Sequence, residues 1–394
     1  MSQRVSQKIG VLIGGSGLLG GALMHHFKTL SGKPVNLLAP NSKKLSIREP
    51  EDIRRYFEHL KPDFIINCAI AAIDSDPLLS CEINYLGTVA LARAAIELGI
   101  PYIHLSSAAT MPMGHGLTED ERLELTPGLT NYTKSKLMAE LTLEHLAKTR
   151  GLDHTIIRLA IVYGTHDHKI QGFHRLFFSI ADQAMPVLFT SPDAMHSYTN
   201  ARKLPHFVAH VLANRPEFSK KTYNFVDPNP VLLTQLILTI KSYLELKTPR
   251  EIHVPYPLAR FGMGIIARLV RLITRLGIEA RLPAELIFLK SFYETQTLSA
   301  ARLQASSFVD PDPEATVFTE LPELIEYYVT RWEHLNLITP FNKEFFDPRR
   351  RAEEFLDDPE QLLTAIHAES NQPFLRQCPL ADVASPADHI EEHH

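Results

Sequence analysis

Residues 9–20 read Ile-Gly-Val-Leu-Ile-Gly-Gly-Ser-Gly-Leu-Leu-Gly, an apolar run that leads into glycines at positions 14, 17 and 20. The pattern predicts a buried strand that stops, turns sharply and continues as a helix. Gly14 suits the turn, Gly17 a close approach of the backbone to a pyrophosphate, and Gly20 tight packing of the helix on the sheet. This stretch therefore predicts a dinucleotide-binding site.

Strand-like and helix-like stretches alternate along the first part of the chain. Strands are predicted at 9–13, 34–39, 63–67, 101–105 and 155–162, and helices at 18–30, 50–60, 78–98 and 132–150. This alternation is typical of the α/β class, with a Rossmann-type doubly wound parallel sheet. We expect a Rossmann core over 1–165, the remaining Rossmann elements with a smaller, mostly helical C-terminal substrate domain over 166–340, and a C-terminal extension with a mobile tail over 341–394.

Composition favours an enzyme acting on a small molecule in the cytoplasm. The chain has 394 residues, and its 40 basic and 45 acidic side chains leave a net charge of −5, which predicts no nucleic-acid partner. Cys68, Cys81 and Cys378 lack paired or metal-like spacing, which favours a reducing compartment. The polar residues 1–8 predict no signal peptide, and no apolar run approaches the length of a membrane span.

Two later segments carry residues suited to proton transfer. A predicted buried strand from residue 102 ends in small hydroxyl residues that include Ser107, and Tyr132-Thr-Lys-Ser-Lys136 opens a predicted helix. Tyr132 and Lys136, four residues apart, share one helix face. We therefore expect the ammonium of Lys136 to lower the pKa of the phenol and make it a usable acid or base.

These segments and the glycine spacing resemble the extended short-chain dehydrogenase/reductase (NAD-dependent epimerase/dehydratase) family. The same resemblance extends to two further stretches, Asn84-Tyr-Leu-Gly-Thr88 and Arg158-Leu-Ala-Ile-Val-Tyr-Gly164. The stretch Ile47–Asp74 makes the N-terminal half, over about residues 9–165, similar to the dTDP-4-dehydrorhamnose reductase-like members. The resemblance implies that Tyr132 transfers the hydroxyl proton and Lys136 holds the nicotinamide ribose. It also implies that Ser107 orients the carbonyl, that Asn84 supports the site, and that two copies pair through the helices beginning near residues 78 and 132.

The cofactor is expected to be NADP, with NAD as the alternative. The second predicted strand ends without an acid that would repel a 2′-phosphate, and Lys43 or Lys44 could accept that phosphate, although both could equally be solvated loop residues. Besides Tyr132 and Lys136, the residues expected to line the cofactor are Gly14, Gly17, Leu18, Leu19, Gly20, Asn41, Lys43, Lys44, Ser46, Ile47, Cys68, Ala69, Ile70, Ile161 and Val162.

Three hypotheses remain for the function and its substrate. The stretch 194–201 lacks the arginine that the sugar-nucleotide members use to grip a diphosphate, and His196 is a weak replacement. An apolar, basic stretch at 257–277 resembles in character the insert of 3β-hydroxysteroid dehydrogenase-like members. The first hypothesis is therefore an NAD(P)-dependent oxidoreductase that interconverts a secondary alcohol and a ketone on a sterol- or lipid-like substrate. The alternatives are a sugar-nucleotide epimerase or 4-keto reductase, and a non-catalytic NAD(P)-binding regulatory subunit.

Two further segments can be interpreted either as functional sites or as ordinary structural features. Arginines at 260, 268, 271 and 275 flank bulky apolar residues, so the helix at 258–277 is either a core helix with one solvated edge or a peripheral membrane contact. His166-Asp-His168 has donor atoms without a third ligand at helical spacing, so no metal site is predicted.

Overall fold

The computed structural model describes residues 7–30, 35–183, 185–189, 194–275 and 284–335, together with 356, 359–360 and 363–364. The first of two compact units comprises Met1–His174, Asp193–Leu232 and Glu294–Val317, and the second comprises Arg175–Pro192, Leu233–Tyr293 and Phe318–His394. The predicted boundaries at 165 and 340 stay predictions, and nearly all of the predicted extension over 341–394 lies outside the described residues.

The strands of the described residues are, in chain order, β1 (Lys8–Ile13), β2 (Val35–Leu38), β3 (Phe64–Asn67), β4 (Tyr102–Ser107), β5 (Gly114–Leu117), β6 (His154–Leu159), β7 (Ile161–Tyr163), β8 (Val187–Phe189), β9 (Met195–His196), β10 (Tyr198–Asn200), β11 (Lys221–Phe225), β12 (Val231–Leu232), β13 (Arg250–Ile252) and β14 (Gln296–Leu298). The α-helices are α1 (Leu18–Thr29), α2 (Pro50–Leu60), α3 (Pro77–Ser80), α4 (Gly87–Leu98), α5 (Asn131–Arg150), α6 (Gly172–Gln183), α7 (Leu204–Ala213), α8 (Arg215–Phe218), α9 (Leu233–Tyr243), α10 (Tyr256–Arg275), α11 (Ala284–Ile287), α12 (Leu289–Tyr293), α13 (Ala301–Gln304) and α14 (Leu321–His334).

A six-stranded parallel sheet forms the centre of the first unit and confirms the predicted α/β class. Its strand order is β2-β1-β3-β4-β6-β11. Chain order reverses between β1 and β3, and ligands of such sheets bind in the crevice at the carboxyl ends of the strands on either side of the reversal. The residues that follow Ile13 and Asn67 are therefore the expected location of a ligand site.

Helices cover both faces of this sheet, because successive side chains of a strand point to opposite faces. On one face Val11, Ile65 and Tyr102 pack in one core cluster with buried residues of α4 and α5. On the other face Leu12 and Ile66 pack with buried residues of α1 and α7. The doubly wound arrangement follows from these two apolar layers.

Two predicted elements are subdivided in the structure. The predicted strand at 155–162 consists of β6, in the main sheet, and β7, which pairs with β10 in a separate two-stranded sheet. The predicted helix at 78–98 consists of α3, a π-helical segment at Cys81–Leu86, and α4. A π-helical turn takes in one more residue than an α-helical turn, and such turns often lie at functional sites. Apolar periodicity does not mark so local a change.

The second unit is mixed rather than purely helical. β8 and β13 form a two-stranded parallel sheet, and the helices include α10 and α14. An aromatic cluster forms part of its core, with the ring centroids of Phe177 and Trp332 4.9 Å apart and Tyr328 stacked on Trp332.

Candidate active site

The glycine loop has the conformation that its sequence predicts. Gly14 has φ of 87°, and a Cβ at this position would lie 2.8 Å from the backbone of Cys68 and Ala69. A Cβ at Gly20 would overlap the Gly14 carbonyl, whereas one at Gly17 would meet no protein atom nearer than 3.7 Å. Gly14 and Gly20 are therefore required by the protein's own packing, and Gly17 leaves open space at the start of α1.

The segment after β3 lies against this loop, as the strand order requires. The Cys68 amide donates to the Ile13 carbonyl at 2.9 Å. Asn67 holds the turn, because its side-chain oxygen accepts from the Ala69 amide at 3.0 Å and its amide nitrogen donates to the Tyr102 hydroxyl at 2.9 Å. The structure thus brings Cys68 and Ala69 to the glycine loop, and it leaves Ile70 exposed.

The predicted residues after β2 separate into exposed and buried positions. The Asn41 side-chain oxygen accepts from the amides of Lys43 and Lys44, each at 3.1 Å, and so forms the turn itself. The side chains of Lys43 and Lys44 are exposed and Ser46 is partly buried. Ile47 is buried in the core against Gly87, where a Cβ would lie 2.9 Å from its Cδ1 atom.

The remaining predicted cofactor residues lie on β7 and at the start of α1. Ile161 and Val162 are partly buried in β7, and Leu18 and Leu19 are partly buried at the first turn of α1. A Cβ at Gly164 would lie 3.6 Å from the Leu18 Cδ1 atom, so the chain that follows β7 passes beside the first turn of α1.

Tyr132 and Ser107 meet where the first turn of α5 faces the end of β4. The Thr130 side chain caps α5 by accepting from the Thr133 amide at 3.1 Å. The Tyr132 phenol is buried and hydrogen-bonds with the Ser107 side chain. Burial raises the pKa of the phenol, and the Ser107 contact partly opposes this increase. The expectation that Lys136 lowers this pKa is wrong for this structure, because burial dominates and Lys136 is not among the groups that act on the phenol.

Lys136 instead lies over the ends of β3 and β4. Its Nζ atom donates to the Leu105 carbonyl at 3.0 Å. Burial lowers the pKa of Lys136 to about 8, while Cys68 and Glu140 raise it. The lysine therefore remains largely charged at neutral pH. Because Cys68 also touches the glycine loop, Lys136 and Gly14 have a common neighbour.

Asn84 joins the glycine-loop side of the crevice to α5. It lies fully buried in the π-helical segment, where its side-chain oxygen accepts from the Ala71 amide at 2.9 Å. Its amide nitrogen donates to the Ser135 hydroxyl at 3.1 Å, and that hydroxyl donates to the Tyr132 carbonyl at 3.0 Å. The geometry fits a supporting role for Asn84, with Ser135 as a contact that sequence reasoning missed.

A buried ion pair behind Lys136 also escaped the sequence analysis. Glu140 and Arg158 are at most 1% exposed, with Nη2 of Arg158 2.8 Å from Oε2 of Glu140. The Ser106 hydroxyl donates to the same carboxylate, the Thr110 hydroxyl lies 3.1 Å from it, and Nη1 of Arg158 donates to the Glu119 carbonyl at 2.9 Å. The available signal was the four-residue spacing of Tyr132, Lys136 and Glu140, which places a carboxylate on the same helix face.

The two histidine positions named in the sequence analysis differ in their surroundings, and His196 pairs with Gln296 of β14, whose side-chain amide donates to the Ala108 carbonyl at 3.0 Å. His196 is buried in β9, and His166 is exposed with φ of 67°. Among the described residues, no group of three or more His, Cys, Asp or Glu side chains is arranged to hold a metal ion.

Comparison with known proteins places this arrangement in a family. Residues 8–230, more than half of the chain, match the family model described as RmlD substrate binding domain. The chain is 31% identical over 176 residues to dTDP-4-dehydrorhamnose reductase of Shigella flexneri, which covers 43% of this chain and 56% of the relative. It is 26% identical over 218 residues to the spore coat polysaccharide biosynthesis protein SpsK of Bacillus subtilis, covering 52% and 70%. The match thus spans little more than half the length of the first relative.

Solved structures share the fold at low sequence identity. A dTDP-4-dehydrorhamnose reductase of Bacillus anthracis in complex with NADP is 16% identical, with a TM-score of 0.56 and coverage of 82% of this chain and 99% of that one. The Thermus thermophilus UDP-glucose 4-epimerase complex with NAD is also 16% identical, with a TM-score of 0.57 and the same coverage. These structures share the fold, and the family match over residues 8–230 shows that the chain belongs to the RmlD substrate binding domain family of the extended short-chain dehydrogenase/reductases.

Proposed function

We propose that this chain reduces the 4-keto group of a nucleoside-diphosphate sugar with NADPH. The observation that carries the proposal is the Tyr132 phenol beside Ser107 at the end of β4, with Lys136 one helical turn further along α5 and its Nζ atom on the Leu105 carbonyl. The relatives' names refer to sugar-nucleotide enzymes, which supports this alternative over the sterol- or lipid-like substrate that the sequence analysis put first. Those comparisons give the hydrophobic substrate no support.

The crevice fits a dinucleotide. Gly14 and Gly20 form a loop that any side chain would disrupt, Gly17 leaves space, and the amides of the first turn of α1 suit a pyrophosphate. The exposed Lys43 and Lys44 suit a 2′-phosphate. NADPH, when bound, supplies the hydride.

The chain's own residues supply the proton and the orientation. Burial raises the pKa of Tyr132, so its phenol holds its proton at neutral pH and can donate it to the substrate oxygen. Ser107 donates a hydrogen bond to the same carbonyl and fixes its direction. The charged Lys136 would hold the nicotinamide ribose, and the phenolate that remains recovers a proton from solvent. A protonated phenol is the form of Tyr132 that ketone reduction requires.

A substrate comparison tests this proposal. We expect NADPH consumption with dTDP-4-dehydrorhamnose or a GDP-linked 4-keto sugar, and none with a ketosteroid, when each is added to the purified chain. Interconversion of sugar epimers without net NADPH consumption would replace reduction by epimerisation. If the protein binds NADPH but consumes it only with the ketosteroid, or with no substrate tested, the proposed reaction is wrong.

NADPH is expected to bind more tightly than NADH. Replacing both Lys43 and Lys44 by Ala should reduce that preference about tenfold or more, the scale of one or two lost charge-assisted contacts. Fluorescence titration of each cofactor against both proteins measures the change. The turn should survive, because Asn41 forms it through backbone amides that the substitutions keep.

The matched control is the double substitution of Lys28 and Lys148 by Ala. Both lysines are exposed in the last turns of their helices, α1 and α5, and their loss changes the net charge equally. This variant should keep the NADPH preference. Tighter binding of NADH to the unsubstituted protein would reverse the cofactor assignment.

A further inference from the structure

Helix α10 carries a row of exposed bulky apolar residues. Leu258, Phe261 and Leu272 are 62%, 70% and 56% exposed. Leu258, Phe261, Ile265, Leu269 and Leu272 follow one another at intervals of three or four residues and therefore lie on one face of the helix, and Ile266, which is also exposed, lies to one side of this row. We refer to the five residues of the row as the α10 stripe. An isolated exposed apolar residue is ordinary, but a contiguous row of them indicates an interaction surface.

The opposite side of the helix is the one that packs within the second unit. Ala259 is buried, and the ring of Tyr256 lies 5.1 Å from the ring of Tyr293. The hydroxyl of Tyr293 donates to the Val254 carbonyl at 2.8 Å, just before the helix begins. The interpretation of α10 as a core helix therefore does not describe the α10 stripe, because Ala259 and Tyr256 pack within the unit while the five residues of the stripe are exposed.

Charge identifies the kind of surface that the stripe fits. The chain has arginines at 260, 268, 271 and 275 and no acidic residue between Glu251 and Glu279, although its net charge is −5. Arg260 and Arg268 are exposed, and helical spacing puts all four arginine positions along one side of the stripe. A row of arginines beside an apolar row matches the boundary between anionic headgroups and acyl chains.

We propose that α10 binds the surface of an anionic lipid bilayer, lying in the plane of the interface with the α10 stripe against the acyl chains. The described residues contain no helix long and apolar enough to cross a membrane, so this contact would be peripheral. A second copy of the chain is a poorer occupant, because it offers the arginines no anionic groups, and an antiparallel symmetric contact through the stripe would bring the arginine rows of both copies to the same side. The proposal does not rest on the identity of the substrate.

Vesicle sedimentation tests the proposal with the full chain. At low salt the chain should sediment with vesicles of phosphatidylglycerol and phosphatidylcholine, weakly with phosphatidylcholine alone, and less as salt is raised. Replacing Phe261 and Leu269 by Gln should weaken binding at least about tenfold, because two exposed apolar side chains no longer enter the acyl region. Replacing Arg260 and Arg268 by Glu should weaken binding about tenfold or more, because attraction becomes repulsion.

Matched substitutions elsewhere on the chain test whether vesicle binding depends on this surface or only on the overall charge and hydrophobicity of the protein. Arg54 and Arg55 on α2 are exposed, so their replacement by Glu changes the net charge equally and should leave binding close to that of the unsubstituted chain. Val309 and Leu335 are exposed outside α10, and their replacement by Gln should also leave vesicle binding close to that of the unsubstituted chain. Circular dichroism should show unchanged helix content in every variant.

Three outcomes would overturn the proposal. The first is failure of the full chain to sediment with anionic vesicles at low salt. The second is equal loss of binding in the α10 variants and in their matched controls. The third is a change from dimer to monomer in the Phe261/Leu269 variant, seen by analytical ultracentrifugation without lipid and with vesicle binding unaltered, which would make the stripe an interface between copies.

Discussion

Replacing Tyr132 by Phe is expected to lower turnover at least about a hundredfold, the usual scale for loss of a positioned general acid. The change removes only the hydroxyl that hydrogen-bonds with the Ser107 side chain and keeps the buried ring. Folding and NADPH affinity should therefore stay close to those of the unsubstituted protein. Steady-state kinetics with the preferred 4-keto sugar, thermal unfolding and NADPH titration together measure the three quantities.

Tyr85→Phe is the matched control for this prediction. Its hydroxyl also contacts α5, where Thr142 lies 3.4 Å away, but that contact is ten residues along the helix from Tyr132. The control should keep turnover within about twofold, because a weak, partly exposed hydrogen bond contributes little. Near-normal turnover of Tyr132→Phe would show that another group donates the proton.

Replacing Glu140 by Gln should lower the free energy of unfolding by about 3–5 kcal/mol, because it leaves the buried Arg158 guanidinium without its counter-charge. Both partners are almost completely inaccessible to water, so solvent cannot compensate for the lost charge. Chemical denaturation with urea measures the change. The same substitution should also lower the pKa of Lys136 further, because Glu140 is one of the groups that raise it.

Two further variants make this prediction testable even if Glu140→Gln fails to fold. Replacing Glu140 by Leu together with Arg158 by Met removes both charges and should recover much of the stability, since apolar replacements of a buried pair are often tolerated. Arg54→Ala breaks exposed pairs with Glu51 and Glu58 and should leave the free energy of unfolding nearly unchanged. A loss as small for Glu140→Gln would show that the buried pair contributes little.

The sequence by itself determined the class of the fold and the local features of the glycine loop and of α5. Gly14 and Gly20 could be identified because only glycine tolerates the turn and the contact that these positions require. The pairing of Tyr132 with Lys136 on one face of α5 could be predicted because helical spacing is a local property. The alternation of apolar runs similarly predicted the parallel sheet, although it missed the sixth strand, β11, which follows a long intervening segment.

Tertiary structure alone decided the relations between residues far apart in the chain. Asn84 bridges Ala71 and Ser135, and Glu140 meets Arg158, only because the strands and helices that carry them pack together. The pKa of Tyr132 rises rather than falls because burial outweighs neighbouring charge, and burial is a property of the folded chain. Periodicity likewise placed the apolar residues of α10 on one face. Whether that face turns toward the core or toward solvent depends on which neighbours pack against it, and in this fold they pack on the other side.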